Sequence, residues 1–103
     1  MYSLDFLQAA KQDMADIVRY ISHDLSNPRA ALKLADEIIE AAEKLTDLPY
    51  KNRVYRPIRP LGQEYRGQIV QSYILFYYVD EGQKLVTIAR VIYARRNYQA
   101  LLE

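Results

Sequence analysis

The sequence predicts an α+β fold in which an αα-hairpin packs on one face of a twisted antiparallel sheet of about four strands. The chain begins with a short apolar–polar alternation and continues through two segments of helical periodicity. Its last third is rich in β-branched and aromatic residues. A Gly-containing connection, Asp80 to Gln83, divides that last third into runs typical of paired strands. With 103 residues, positions 1–103 are expected to form a single domain.

Composition excludes several classes of site. The chain has no cysteine and a single histidine, His23, so neither a thiolate site nor a histidine cluster can exist, and we expect no metal and no other cofactor. No apolar run is long enough to span a bilayer and no signal-peptide pattern opens the chain, so we expect a soluble, cytoplasmic protein without membrane contact.

The charge is unevenly distributed. Residues 1–47 carry five Lys/Arg and nine Asp/Glu, whereas residues 48–103 carry nine Lys/Arg and four Asp/Glu. An acidic half joined to a basic half favours a surface that faces a polyanion or an acidic partner. Solvated faces with no special purpose explain the same pattern, and both interpretations stay open.

The first half of the chain is predicted to form a strand and two helices. Tyr2 to Phe6 has the alternation of a first strand, and apolar residues then recur with helical spacing from Ala10 to Leu25. Asn27 can cap a second helix, and Pro28 fits its first position. So short a connection predicts an antiparallel hairpin. The buried stripe of the second helix is predicted to comprise Ala31, Leu34, Ala35, Ile38, Ala42 and Leu45.

The segment from Tyr50 to Gln63 is predicted to be irregular. It interleaves arginines with tyrosines, and Pro57 and Pro60 exclude a central strand. A loop of this length inside a compact domain is often functional. Alternatively it is a solvated connector whose arginine stems cover apolar surface.

The strands of the last third are apolar on both faces. Ser72 to Val79 is therefore predicted to be a central strand that is covered on both sides. In the strand after the turn, strict alternation places Val86, Ile88, Arg90 and Ile92 on one face. Arg90 interrupts that apolar row, so it needs an acidic partner or an opening to solvent.

The order of these pieces resembles a known family. The residues that carry the resemblance are Asp16-Ile17, Tyr20-Ile21, Pro28, Ala30-Ala31, Leu48-Pro49, Tyr65-Arg66, Tyr73 to Tyr77, Val79-Asp80 and Val86 to Arg96. Together, over essentially the whole chain, they resemble the RelE/ParE toxins of type II toxin–antitoxin systems, and ParE-like members more closely. The resemblance implies a growth-inhibiting toxin, associated with plasmid stabilisation. It also implies a cognate antitoxin protein that holds the toxin inactive in a hetero-oligomer.

The resemblance also implies two possible targets. RelE-like members cleave mRNA on the ribosome, whereas ParE-like members are associated with DNA gyrase poisoning. Ribonuclease members carry a basic residue where this chain has Ile74, or a histidine near the position of Ala94. Arginine is a poor general base. We therefore expect a gyrase inhibitor rather than an enzyme, with a ribosome-dependent mRNA endoribonuclease as the alternative and a degenerate, non-toxic binding module as the second.

No catalytic residue is assigned from the sequence. Arg96 best matches the family arginine that follows the last strand, and Tyr93 and Tyr98 bracket the pair Arg95-Arg96. Arg66 has an alternative role as a structural anchor that pairs with a helical acid, and Arg95-Arg96 have an alternative role as a contact for an acidic antitoxin segment. The candidates for the functional surface are Arg66, Arg90, Tyr93, Arg95, Arg96 and Tyr98.

Overall fold

The computed structural model describes residues 1–56 and 61–102. The chain forms strands and helices in the predicted order, with a π-helical turn at Tyr20–Asp24 continuing the first helix. The α+β class and the αα-hairpin are thereby confirmed. The elements are β1 (Ser3–Phe6), α1 (Gln8–Arg19), α2 (Pro28–Lys44), β2 (Arg66–Val70), β3 (Tyr73–Asp80), β4 (Leu85–Tyr93) and α3 (Tyr98–Leu102).

The four strands form one sheet in the order β1-β4-β3-β2. Strands β2, β3 and β4 are antiparallel, as predicted, but β1 pairs in parallel with β4, so the sheet is mixed. The pairing ends at Phe6 opposite Ile88, because the chain then turns into α1. The second half of β4 is therefore not covered by β1, and this open edge forms one wall of the site described below.

A β-bulge between Phe76 and Tyr77 changes which residues of β4 share a face. Phe76 lies opposite Arg90, whereas Tyr77 lies opposite Ile88. The extra residue breaks the alternation, so the prediction that Ile88 and Ile92 share a face is wrong. Ile88 belongs to the core under the helices, and Ile92 belongs to a cluster on the opposite face.

The core has two parts, one on each face of the sheet. Under the helices, Leu75, Tyr77 and Ile88 are fully buried against α2, whose predicted stripe is buried except that Ala35 is only partly so. The opposite face carries Phe76, Ile92 and Leu102, with further aromatic and aliphatic residues packed around them. Strand β3 is thus covered on both sides, as its composition predicted.

Local chemistry fixes the hairpin connection. Asn27 Oδ1 accepts a hydrogen bond from the backbone N–H of Ala30 at 3.1 Å, and Pro28 occupies the first turn of α2. This cap confirms the predicted restart of the helix. The α-helical winding of α1 ends at Arg19, six residues before the predicted end at Leu25, because the π-helical turn replaces the last part of the helix.

Candidate functional site

A groove of about 700 Å³ lies between α1 and the open edge of β4. The π-helical turn extends the α1 wall, and the start of β3 closes the far end. Because its walls combine apolar, aromatic and charged side chains, the groove can bind a peptide segment both by burial and by polar contacts. It is lined by Asp13, Asp16, Ile17, Tyr20, Ile21, Leu25, Ser72, Tyr73, Arg90, Val91, Ile92, Tyr93 and Arg96.

Asp13 and Arg90 form an ion pair in this groove. Asp13 Oδ2 lies 2.7 Å from Arg90 Nε, and Asp13 Oδ1 lies 2.9 Å from Arg90 Nη2. Asp13 also accepts a hydrogen bond from the backbone N–H of Val91 at 2.9 Å, on the open edge of β4. The side chains are 23% exposed for Arg90 and 14% for Asp13, and this pairing raises the pKa of Arg90. The expectation that Arg90 needs an acidic partner is confirmed.

Arg90 also contacts the C-terminal helix. Its Nη1 donates to the carbonyl oxygen of Leu101 at 3.1 Å. One guanidinium therefore joins α1, β4 and α3. Because its donors are engaged within the chain, Arg90 serves first to hold these elements together, and its role in a functional surface stays a prediction.

Two other candidates line the same groove. The ring of Tyr93 packs edge-to-face on that of Tyr73, with centroids 5.7 Å apart. The backbone N–H of Arg96 donates to the carbonyl of Tyr93 at 3.0 Å, which turns the chain after β4 and places Arg96 in the groove wall. Burial raises the pKa of Tyr73, with smaller contributions from Tyr93 and Tyr20, so its hydroxyl is protonated at neutral pH.

Tyr98 lies on the face of the sheet opposite α1 and α2. Its ring contacts Phe76 at 5.2 Å and Tyr55 at 5.5 Å between centroids. Since Tyr55 belongs to the irregular segment after α2, this contact brings that segment to the end of β4. Exposed arginines lie within three residues of Tyr55 or of Tyr98 in the sequence. We call these four the basic rim: Arg53, Arg56, Arg95 and Arg96.

The two halves of the basic rim, Arg53 with Arg56 and Arg95 with Arg96, are far apart in the sequence. Arg53 and Arg56 were visible only as arginines interleaved with tyrosines, and nothing local pointed to Tyr98 as the partner of Tyr55. Arg59, Pro57 and Pro60, part of the same interpretation, lie outside the described residues.

Arg66 is placed away from Arg95 and Arg96. It stands opposite Tyr77 in the sheet, whereas the end of β4 at Tyr93 stands opposite Tyr73. Its Nη1 donates to the carbonyl of Asn52 at 2.6 Å, and its guanidinium lies 4.9 Å from the ring centroid of Tyr50. These contacts are those of a structural anchor. The nearby acid is Glu64, at 3.9 Å, rather than an acid of the helices.

A second polar cluster surrounds Glu81 in the β3–β4 turn. Its carboxylate accepts hydrogen bonds from the hydroxyls of Tyr2 and Tyr50 and pairs with Lys84. Hydrogen bonds from Lys84, Tyr50 and Tyr2 lower the pKa of Glu81 to about 2, and the bond to Glu81 raises the pKa of Tyr50 to about 12. At neutral pH the carboxylate is ionised and the phenol is protonated. Both pKa values lie far from neutrality, so the cluster is suited to holding Tyr2, Tyr50 and the β3–β4 turn together and not to transferring protons.

Within residues 1–56 and 61–102, no three His, Cys, Asp or Glu side chains converge closely enough to hold a metal ion. Those same residues include no helix with the length and apolar character needed to cross a membrane.

The family is decided by a comparison with known proteins. A protein-family model described as the ParE toxin of type II toxin–antitoxin system, parDE, matches residues 4–98. The chain belongs to the ParE toxin family. The match extends from β1 to the first residue of α3, so it includes the groove and the basic rim of this ParE toxin.

Solved structures share the fold of this ParE toxin. The chromosomal ParDE system from P. aeruginosa contains a chain that superposes with a TM-score of 0.74 at 21% identity, covering 92% of this chain and 98% of that chain. The RelBE2 complex from Mycobacterium tuberculosis gives 0.59 at 24% identity, with coverages of 89% and 96%. The intact RelBE complex from E. coli gives 0.56 at 19% identity, with coverages of 93% and 100%. No curated protein matches the sequence.

Proposed function

We propose that this type II toxin inhibits DNA gyrase by binding it, without catalysing a reaction on RNA. The proposal is carried by the apolar character of the sheet face opposite the helices. Where the resemblance places a basic residue in the ribonucleases of the superfamily, this chain has Ile74 of β3, which packs in the apolar cluster of Phe76 and Ile92. Metal-free RNA cleavage needs a proton-transfer group and cations that stabilise the charged transition state.

Arg90, in the strand next to Ile74, does not supply this chemistry. Arg90 stands opposite Phe76, but its guanidinium is bound by Asp13 and by the carbonyl of Leu101. The match to the ParE family model supports a gyrase target, whereas the RelBE complexes share the fold and do not distinguish between the targets. On this proposal the protein acts in the cytoplasm, where it inhibits growth and stabilises a plasmid that encodes it.

We further propose that the cognate antitoxin occupies the α1–β4 groove. The similar structures come from toxin–antitoxin systems, which supports a protein partner of this kind. Apolar side chains such as Ile17 and Ile21 can bury a partner's apolar residues, and Arg96 at the groove edge can pair with a partner's carboxylate. Antitoxin affinity is then expected to weaken as NaCl rises, because exposed ion pairs are screened. Salt-independent affinity would contradict the acidic contact.

The target is tested with the purified toxin and two matched assays. In a plasmid supercoiling assay, gyrase is expected to lose activity as the toxin is titrated, and Arg96→Ala is expected to require much more protein for the same effect. Arg19→Ala is the control, because Arg19 is exposed and its ion pair within the described residues is with Asp16, one turn away on the same helix. In cells, induction of the wild type should stop growth with a DNA-damage response.

The alternatives give different outcomes in the same experiments. Primer extension on translating ribosomes would reveal codon-positioned mRNA cuts if the protein were an endoribonuclease, and such cuts with normal gyrase activity would overturn the proposal. A chain that binds antitoxin but affects neither gyrase nor mRNA would be the degenerate module. Full potency of Arg96→Ala would remove Arg96 from the functional surface.

A further inference from the structure

One face of α2 carries apolar residues that the fold does not bury. Leu32 is 65% exposed and Ile39 is 40% exposed. Seven residues span about two helical turns, so the two side chains lie on the same face, roughly 10 Å apart along the axis. The stripe that packs on the sheet, from Ala31 to Leu45, lies on the adjacent face, centred roughly 100° around the helix.

Five of the six exposed charged residues beside Leu32 and Ile39 are ordered by sign along the helix. At about 100° per residue, five exposed charged residues lie within roughly 100° on the same side of the Leu32–Ile39 line. The cation Lys44 lies beside the acids and pairs with Glu40 of the same helix at 3.1 Å. Among the five, the cations lie towards the N-terminus and the acids towards the C-terminus. In chain order they are Arg29, Lys33, Asp36, Glu40 and Glu43.

We propose that this face of α2 pairs with the same face of a second copy of the chain, in an antiparallel arrangement about a two-fold axis near Ala35 and Asp36. A two-fold interface requires a surface that is complementary to itself. Reversing the helix brings Leu32 of one copy to Ile39 of the other. The same reversal brings the basic half of each strip to the acidic half of the other, with Lys33 facing Glu40 and Arg29 facing Glu43 of the second copy.

This charge order selects the second copy as the occupant. In antiparallel helix pairs, residues on the same flank of the two helices face each other, as charged residues do in coiled coils. A parallel pairing would instead turn the charged strip of each copy towards the opposite flank of the other helix, so the two strips would not face each other. Asp36 lies next to the axis, where it meets its own copy between the two Lys33 side chains. Removing that carboxylate by Asp36→Asn is therefore expected to tighten the pairing.

The contact area predicts weak association. Helix α2 has 17 residues and is about 25 Å long. One face of such a helix covers less than the roughly 800 Å² per partner that is usual for a stable interface. The dimer is therefore expected to form at high micromolar concentration and to dissociate on dilution. It is independent of the gyrase target, since neither the groove nor the basic rim takes part.

Analytical ultracentrifugation of the full chain across a wide concentration range tests the proposal. The wild type is expected to dimerise as its concentration rises, and Leu32→Glu is expected to weaken dimerisation at least about tenfold. Leu48→Glu is the matched control, because Leu48 is 63% exposed but lies outside α2. Circular dichroism melts verify that both variants fold, which surface positions should permit.

A charge exchange tests the register. Lys33→Glu and Glu40→Lys are each expected to weaken self-association, because each places like charges across the interface twice. An equimolar mixture of the two variants is expected to restore it, since each chain then supplies the charge that the other lacks. Three results would overturn the proposal: a wild type that stays monomeric, a dimer that Leu32→Glu leaves unchanged, or a mixture that does not recover. A loss of antitoxin affinity with self-association intact would assign the face to the antitoxin instead.

Discussion

Replacing Asp13 by alanine is expected to destabilise the protein strongly. The Asp13 carboxylate accepts three hydrogen bonds, from Arg90 Nε at 2.7 Å, Arg90 Nη2 at 2.9 Å and the Val91 backbone N–H at 2.9 Å. The variant leaves a partly buried guanidinium and a backbone donor without this acceptor. Removing one partner of a buried pair costs about 3–5 kcal/mol, and partial exposure here reduces the expected loss to about 2–4 kcal/mol.

Urea unfolding measured by circular dichroism gives this free energy directly. For a domain of this size the same change corresponds to a fall in Tm of roughly 4 °C or more per kcal/mol. Asp16→Ala is the control on the same helix, because Asp16 and Arg19 form an ion pair whose side chains are 54% and 63% exposed. Such a pair contributes about 0.5 kcal/mol.

A double variant tests whether the loss of stability comes from the unpaired guanidinium of Arg90. If the cost comes from the stranded guanidinium, adding Arg90→Met to Asp13→Ala should recover part of the lost stability, because no charge is then left buried. Hydrogen exchange in α3 should also quicken in Asp13→Ala, since Arg90 holds the Leu101 carbonyl. A loss no larger than that of Asp16→Ala, or a double variant less stable than Asp13→Ala, would refute the reasoning.

Three further predictions follow from single contacts. Tyr77→Phe removes a buried hydroxyl that donates to the Pro49 carbonyl at 2.9 Å, and urea unfolding should show a loss of about 1–2 kcal/mol. Asn27→Ala removes the cap of α2 and should cost about 1 kcal/mol in the same assay. The pKa of Glu81 is lowered from 4.5 to about 2, so its contribution to stability is present above pH 4.5 and is lost as the pH falls towards 2. Acid unfolding of Glu81→Gln should therefore lose pH dependence in that window, whereas Glu43→Gln, exposed on α2, should retain it.

Several features could be predicted because they depend on residues close together in the chain. The cap at Asn27 and the position of Pro28 follow from backbone chemistry within one helical turn. The burial of β3 on both faces follows from its lack of polar alternation. The need of Arg90 for an acidic partner follows from the cost of an unpaired buried charge, but that rule does not identify which acidic residue pairs with it.

The amino-acid sequence by itself determined the kinds of element, their order, the apolar stripe of α2 and the presence of cations near the end of β4. Tertiary structure alone decided that Asp13, 77 positions away, pairs with Arg90, and that Tyr55 meets Tyr98. It also separated Arg66 from the end of β4. The physical reason is range: helical period and capping involve neighbours a few residues apart, whereas strand pairing, a bulge and the burial of a charge depend on which distant segments the closed core brings together.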